Sequence, residues 1–532
     1  MKKLFLACCI AAVAASSVAC GTQTTESSTN STPASSTGSS MDSSASSEKV
    51  KLSVYAMNNS GGQIKNYSEM KGLQVAAETL NMEIEYQMPT TGSEADQFNL
   101  MIASKEYPDI IFWILKNTPM KLTGLLDEGI AINADEYIRE YAPNYLAQLA
   151  KDPEMDKQAK LSDGTYPGLY KLEPVPIRNA FKGLMLRKDQ FDKMGLTVPE
   201  TIDDWYNMLK TVKEADPNSI PFGDQKNSNF AGFLPGFGVL DSFCRVDGKV
   251  VFGPLQPSYR DFITTMNQWY SEGLIDPDFS TTDSKAFNSK VLNNQTFSFI
   301  GNVGGGMGNL TSQARTENAD FELMAVPYPK ADPSMELPYT SHADMLIKAG
   351  PDIGVITKSC ENPVAAVQYM DFFYSEEGHN LVNFGVEGES YTVVEGKNAY
   401  TDVVLNNPDG LTPGQAIYQY AMPIHGWTKA MDFDAYEQIN LVLPEQKECP
   451  NQWGNVSTDL IMPPIELESE ANDEYTKIMS EVTTYVSEMT LKFIMGIEPL
   501  ENYDNFTETL QKMDVERATE IMQEAYDAYN AR

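Results

Sequence analysis

KLSVYAMNNSGG at residues 51–62, MEIEYQM at 82–88 and IIFW at 110–113 frame the segment whose periodicity decides the fold. In the first block Leu52, Val54 and Ala56 alternate with Lys51, Ser53 and Tyr55, the two-residue repeat of a strand with one covered face. Met70, Leu73, Ala76, Ala77 and Leu80 then recur at three- and four-residue steps, the stripe of an amphipathic helix. Met82, Ile84, Tyr86 and Met88 alternate again, and Phe98, Met101 and Ile102 mark a shorter helix. The unbroken Ile110-Ile111-Phe112-Trp113 reads as a strand buried on both faces. The order βαβαβ predicts a parallel sheet with right-handed crossovers. Ligands of such sheets bind beyond the carboxyl ends of the strands, here near Asn58–Gly62, Pro89–Asp96 and Trp113–Asn117.

Two segments before this core cannot join it. Lys2 and Lys3, an apolar run from Leu4 to Val18 and the small Ala19 have the layout of a secretory signal. The run is shorter than the about 20 apolar residues of a spanning helix. Ser17-Val18-Ala19-Cys20-Gly21 resembles a bacterial lipobox, with Ser17 where Leu is usual. The resemblance implies that Cys20 carries lipid, palmitate among its acyl chains, and becomes the mature terminus; the other reading is plain cleavage near Cys20. From Gly21 to Glu48, 17 of 28 residues are Ser or Thr. That composition cannot bury enough surface to offset its ordering entropy, so a flexible tether reaching roughly 30 Å is expected. Residues 1–19 are read as signal peptide and 20–49 as anchor and tether, which puts the body on the extracytoplasmic face of the cell membrane.

The 532 residues carry 39 Lys+Arg and 74 Asp+Glu, a formal net charge of −35. Loss of Lys2 and Lys3 with the signal, and placement of Glu26, Asp42 and Glu48 in the tether, leaves 37 cations against 71 acids from Lys49 onward. A phosphate backbone is bound by clustered cations, so nucleic acid is excluded as a partner. The acidic coat fits a soluble monomer. Once Cys8 and Cys9 leave with the signal and Cys20 is lipidated, Cys244, Cys360 and Cys449 remain, at spacings that match no CxxC metal or redox motif. Three thiols leave open both a single disulfide of undecided pairing and the blander reading of idle side chains.

Further along, a series of short blocks resembles the extracellular solute-binding lipoproteins of bacterial ABC importers, in their carbohydrate-type branch. The blocks are Gln97 to Ser104, Tyr107 to Ile111, Tyr141 to Asn144, Leu186 to Asp189, Met194 to Leu196 and Val198 to Thr201. Asp247 to Val251, Tyr270 to Pro277, Tyr369 to Ser375, Phe493 to Gly496 and Ala525 to Asp527 complete them, in order, across nearly all of 50–532. The resemblance implies a periplasmic-binding-protein-like α/β fold of type II, with two lobes closing on a ligand and several crossings between them. Proline-rich stretches at Pro167–Pro176 and Pro327–Pro338 are where crossings are expected. Lobe one is placed at 50–175 and 346–410, lobe two at 176–345 and 411–500, and closing helices at 501–532. The implied partners are an oligosaccharide and the permease subunits of an importer; an extracellular carbohydrate-active enzyme and a peptide receptor are the alternatives.

No G-x-S-x-G elbow, P-loop or H-E-x-x-H occurs, and His342, His379 and His425 stand far apart, so no catalytic residue is assigned. With 74 acids, counting alone leaves open a carboxylate pair for glycoside hydrolysis. Sugars ask for aromatic faces and planar polar groups in a mostly apolar cleft. Trp205 and Trp269 sit in helical patterns and read as core. Trp113, at a strand end, and Trp427 and Trp453, in turn-rich contexts, are the candidate stacking platforms. Asn58, Asn59, Gln97, Asn302, His342 and Arg187 are the candidate polar contacts. Several members of the resembled family carry a calcium loop where this chain has Asp216-Pro217-Asn218-Ser219-Ile220-Pro221; two side-chain oxygens fall short of calcium's six to eight, and neither metal nor cofactor is expected. The acidic body makes a polyanionic sugar the less natural cargo unless a local basic patch overrides it.

Overall fold

The alternation at 51–56 becomes the strand Val50–Tyr55, with Leu52, Val54 and Ala56 buried. This computed structural model describes residues 48–112, 122–175, 180–226, 230–424 and 426–532. The next elements follow as predicted: helix Lys71–Thr79, strand Met82–Gln87, helix Glu94–Ser104 and strand Ile110–Phe112. Helix Lys71–Thr79 seats closely because Gly72 has no side chain; a Cβ there would lie 2.5 Å from the Leu381 carbonyl and 2.6 Å from that of Tyr420.

The first sheet runs Met82–Gln87, Val50–Tyr55, Ile110–Phe112, Ala349–Ile356, Leu169–Leu172. Its first three strands are parallel, as expected. Ala349–Ile356 is antiparallel to both neighbours, so the sheet is mixed. A strand returning from so far along the chain leaves no mark on local periodicity. The second sheet runs Leu323–Ala325, Lys182–Arg187, Thr296–Asn302, Ile220–Gly223, and here Lys182–Arg187 is the antiparallel member.

Each sheet has its own apolar core. The first is built from Leu52 through Leu172, from Ala349 through Val404 and again from Ile417 through Ala430, with Ala435 and Ile439 joining it from the following helix. The second gathers Ala180 through Met345 and a C-terminal set running from Met431 to Ala518. This packing departs from one placement made from sequence. Ile417, Tyr418, Ala421, Met422 and Trp427, expected in lobe two, lie in the first core, where Trp427 meets Tyr67, Phe112 and Tyr369. Tyr503, Phe506, Leu510, Val515 and Ala518, in the closing helices Tyr503–Lys512 and Val515–Ala531, pack into the second core, where Phe506 meets Phe493 and Tyr485. Trp205 and Trp269 both pack edge-on to Phe233, at 5.0 and 5.1 Å, core residues as expected.

Among the described residues the chain passes between the cores following Leu172, preceding Ala349 and from Met431 on, where helix Phe433–Asn440 gives Ala435 and Ile439 to the first core and Tyr436 to the second. These crossings are laced together. The Leu172 amide donates to the Lys429 carbonyl (2.7 Å), Met431 N–H donates to the Leu172 carbonyl (2.8 Å), and Glu173 N–H donates to the Lys348 carbonyl (2.8 Å). Beside them Lys171 and Glu173 form a buried ion pair at 2.5 Å. Burial pulls the Lys171 ammonium down, but Glu173 and Asp352 outweigh it and hold the pKa above its ordinary value. Lys429, wholly buried, donates to Asn383 Oδ1 at 3.0 Å and to the Met422 carbonyl. Burial, then the charge of Lys171, holds its pKa well below the ordinary lysine range.

Candidate functional site

Strand direction locates the site. The first crossing leaves its sheet at the carboxyl end of Leu169–Leu172 and enters the second sheet at Lys182. The second crossing leaves near Leu346 and enters the first sheet at Ala349, beside that same carboxyl end. Both crossings therefore join the ligand edge of one sheet to that of the other, and these edges flank one cleft.

On the first edge, Asn58 and Asn59 follow Val50–Tyr55 as predicted. Asn58 shapes the loop: its Oδ1 accepts from the Ser60 N–H (2.9 Å) and hydroxyl (2.7 Å), and its Nδ2 donates to the Ile64 carbonyl (3.0 Å). Asn59 is freer. Its buried Nδ2 has no hydrogen-bond partner among the described residues and lies where a Cβ on Gly426 would come within 2.3 Å. Gln97 is half-buried on the neighbouring helix, its Oε1 3.4 Å from the Thr90 amide. Strand Ile110–Phe112 runs up to this edge, and the predicted platform that follows it, Trp113, lies outside the described residues.

On the second edge, Asn302 is exposed at the end of Thr296–Asn302 and lines a cavity of about 570 Å³. Lys182, Gln225, Lys226, Ser284 and Asn288 stand around it. His342 is close by: its Nε2 is 2.7 Å from the Tyr328 hydroxyl, which also donates to the Lys182 carbonyl at 2.7 Å. Burial, then the Lys182 ammonium, lowers the imidazole pKa to about 4, so the ring is neutral at physiological pH.

Three predicted contacts do not reach the cleft. Trp427 is 1% exposed and caged by Phe112 at 4.5 Å, Tyr67 at 5.6 Å and Phe373 at 5.8 Å. Trp453 is fully buried, its ring against Gly183 and its Nε1 donating to the Leu184 carbonyl at 3.1 Å. Arg187 is 1% exposed, clamped by both carboxylate oxygens of Asp189 at 2.9 Å and by Asn294 Oδ1 at 2.7 Å. It also ends an antiparallel strand, so it stands at the far edge of the sheet from Asn302. The residues missed from sequence include Lys182, at the start of that strand; the signal that finds it is strand direction, which a single segment does not reveal.

Among the described residues the imidazoles of His342 and His379 hydrogen-bond no serine hydroxyl or cysteine thiol; His379 pairs with Asp432 (3.1 Å) and Asn383 (3.2 Å). Cys244, Cys360 and Cys449 are free thiols, and burial pushes Cys360 and Cys449 up to about 12. Asp216 Oδ1 accepts from the Asn218 amide at 2.9 Å, closing a turn. Among the described residues no group of three or more His, Cys, Asp or Glu could hold a metal ion.

Two α/β halves meeting at facing ligand edges describe a receptor, and comparison with known proteins agrees. The profile of the bacterial extracellular solute-binding proteins matches residues 63–380, more than half of the chain. The chain belongs to that family. It is 22% identical to lipoprotein LipO of Bacillus subtilis over 448 residues, which span 81% of this chain and 83% of LipO. It is 23% identical over 471 residues to FusA of Streptococcus pneumoniae, a fructooligosaccharide ABC transporter substrate-binding protein, spanning 82% of this chain and 83% of FusA. Among solved structures, the alginate-binding protein AlgQ2 without calcium superposes with a TM-score of 0.69 at 24% identity, covering 90% of this chain and 99% of that one. The two-lobed fold of this extracellular solute-binding protein is thereby shared.

Proposed function

We propose that this solute-binding protein captures an oligosaccharide between its two lobes and hands it to the permease subunits of an ABC importer. The observation that carries the reading is the facing pair of ligand edges, with the side-chain amides of Asn302, Asn288 and Gln225 lining a cavity on the second, where they can meet hydroxyl groups. The fructooligosaccharide-binding relative supports the ligand class. Capture asks only that sugar bind the closed arrangement better than the open one, with no bond made or broken, and no catalytic role is given to any residue. We further propose lipid attachment at Cys20 and tethering through residues 21–48, which lie almost wholly outside the described residues; LipO's designation as a lipoprotein supports this. Lobe one is proposed as 50–175 with 346–430, lobe two as 180–345 with 431–532.

Isothermal titration against a panel of plant and host oligosaccharides tests the function. Micromolar or tighter binding of at least one sugar, with compaction in small-angle scattering, is expected. Failure of every sugar together with tight binding of a peptide overturns it, and release of shorter sugars on long incubation would favour the enzyme reading.

A further inference from the structure

The cavity at the second ligand edge departs from the rest of the molecule in charge. Acids are 74 of 532 residues in the chain, a frequency that would put about two among the fifteen lining residues. There are none, and two are lysines, Lys182 and Lys226. Among the described residues neither ammonium is in an ion pair with a carboxylate, while Lys182 is near enough to His342 to depress its pKa. Two acids adjoin the lining in sequence: Asp224, 1% exposed, has its Oδ1 accepting from the Gln225 amide at 2.9 Å, and Asp283, exposed, has its Oδ1 accepting from the Ala286 amide at 2.8 Å at the start of its helix. The remaining polar lining is neutral: Gln225, Ser284, Asn288, Asn302, Asn309 and Gln313. Gly305 adds no side chain, and a Cβ there would meet nothing within 4 Å, so a ligand can approach the backbone.

Two cations on one concave wall, with no carboxylate among the residues that line it, attract an anion brought into the cavity. From this juxtaposition we infer that the second lobe selects saccharides bearing an anionic group, a carboxylate of the uronate kind or a sulfate ester, seated between Lys182 and Lys226. The inference rests on the oligosaccharide reading and narrows it. It also reverses what bulk charge suggests: the body is acidic, and the wall that meets the ligand is not.

The test is titration with a uronate-containing oligosaccharide, its carboxyl-reduced neutral counterpart of equal length and linkage, and a sulfated analogue. The anionic sugar is expected to bind at least tenfold tighter than its reduced form, and the sulfated arm distinguishes the two sources of charge. Lys182→Gln with Lys226→Gln should abolish the preference while the neutral sugar binds as before; Lys226→Gln alone, at an exposed side chain, should weaken it without disturbing the fold. Equal binding of charged and neutral sugars overturns this inference and leaves the proposed function standing. A preference that survives in the double variant overturns the assignment to these lysines. Binding of peptide with no sugar of either kind overturns the proposed function itself.

Discussion

Individual residues divide sharply between those that hold the fold and those that face the cleft. Trp427 illustrates the first kind: truncation to Ala opens the cage formed by Phe112, Tyr67 and Phe373 and should cost about 3–5 kcal/mol. Chemical denaturation will show that loss, whereas sugar affinity measured below the transition should change less than threefold. His342 makes a pH prediction. Its imidazole titrates at about 4 in the folded protein against 6.5 for the free group. The unfolded chain therefore binds the proton first, so this contribution to stability is complete above pH 6.5 and is lost as pH falls towards 4. It amounts to roughly 3 kcal/mol, and His342→Gln should flatten the difference between denaturation midpoints at about pH 7 and about pH 4.5. Sequence context could not separate these roles. Trp427 and Trp453 sit in loop-like, polar neighbourhoods along the chain, and the groups that bury them come from distant segments.

At the scale of elements, periodicity is sufficient wherever one strand or helix packs on its own neighbours. The βαβαβ order, the alternation at 51–56 and the buried run at 110–112 are all legible because each reports a face covered by nearby chain. Direction is not legible in the same way. Lys182–Arg187 reads as a strand in isolation, but its antiparallel pairing with Thr296–Asn302 sends Arg187 to the far edge and brings Lys182 to the ligand edge. The same strand supplies an element-scale prediction. A Cβ at Gly183 would fall 2.4 Å from the Trp453 ring, so Gly183→Ala should force the indole to shift. The expected cost is about 1–3 kcal/mol, read as a lowered melting temperature with a quenched or shifted tryptophan emission. Unchanged emission and stability would show that the indole does not rest on this strand.

For the whole molecule, the two cores and facing edges predict that ligand couples to stability as well as shape. Sugar at about a hundred times its dissociation constant should stabilise the folded state by about 2.7 kcal/mol, measurable by calorimetry alongside compaction in scattering. A ligand that raised stability without compaction would argue against closure between the lobes. The lacing of the crossings at Leu172, Glu173, Lys348, Lys429 and Met431 has a mechanical meaning. Three separate threads would let the halves slide, twist and bend in many combinations. Threads bonded side by side resist sliding past one another more than bending across their width, so a hinge rotation is the motion expected of the halves. Every cargo then meets the same swing of the same door, and sugars of different length must be sorted by how far they fill the space at its closing, not by how the door chooses to move.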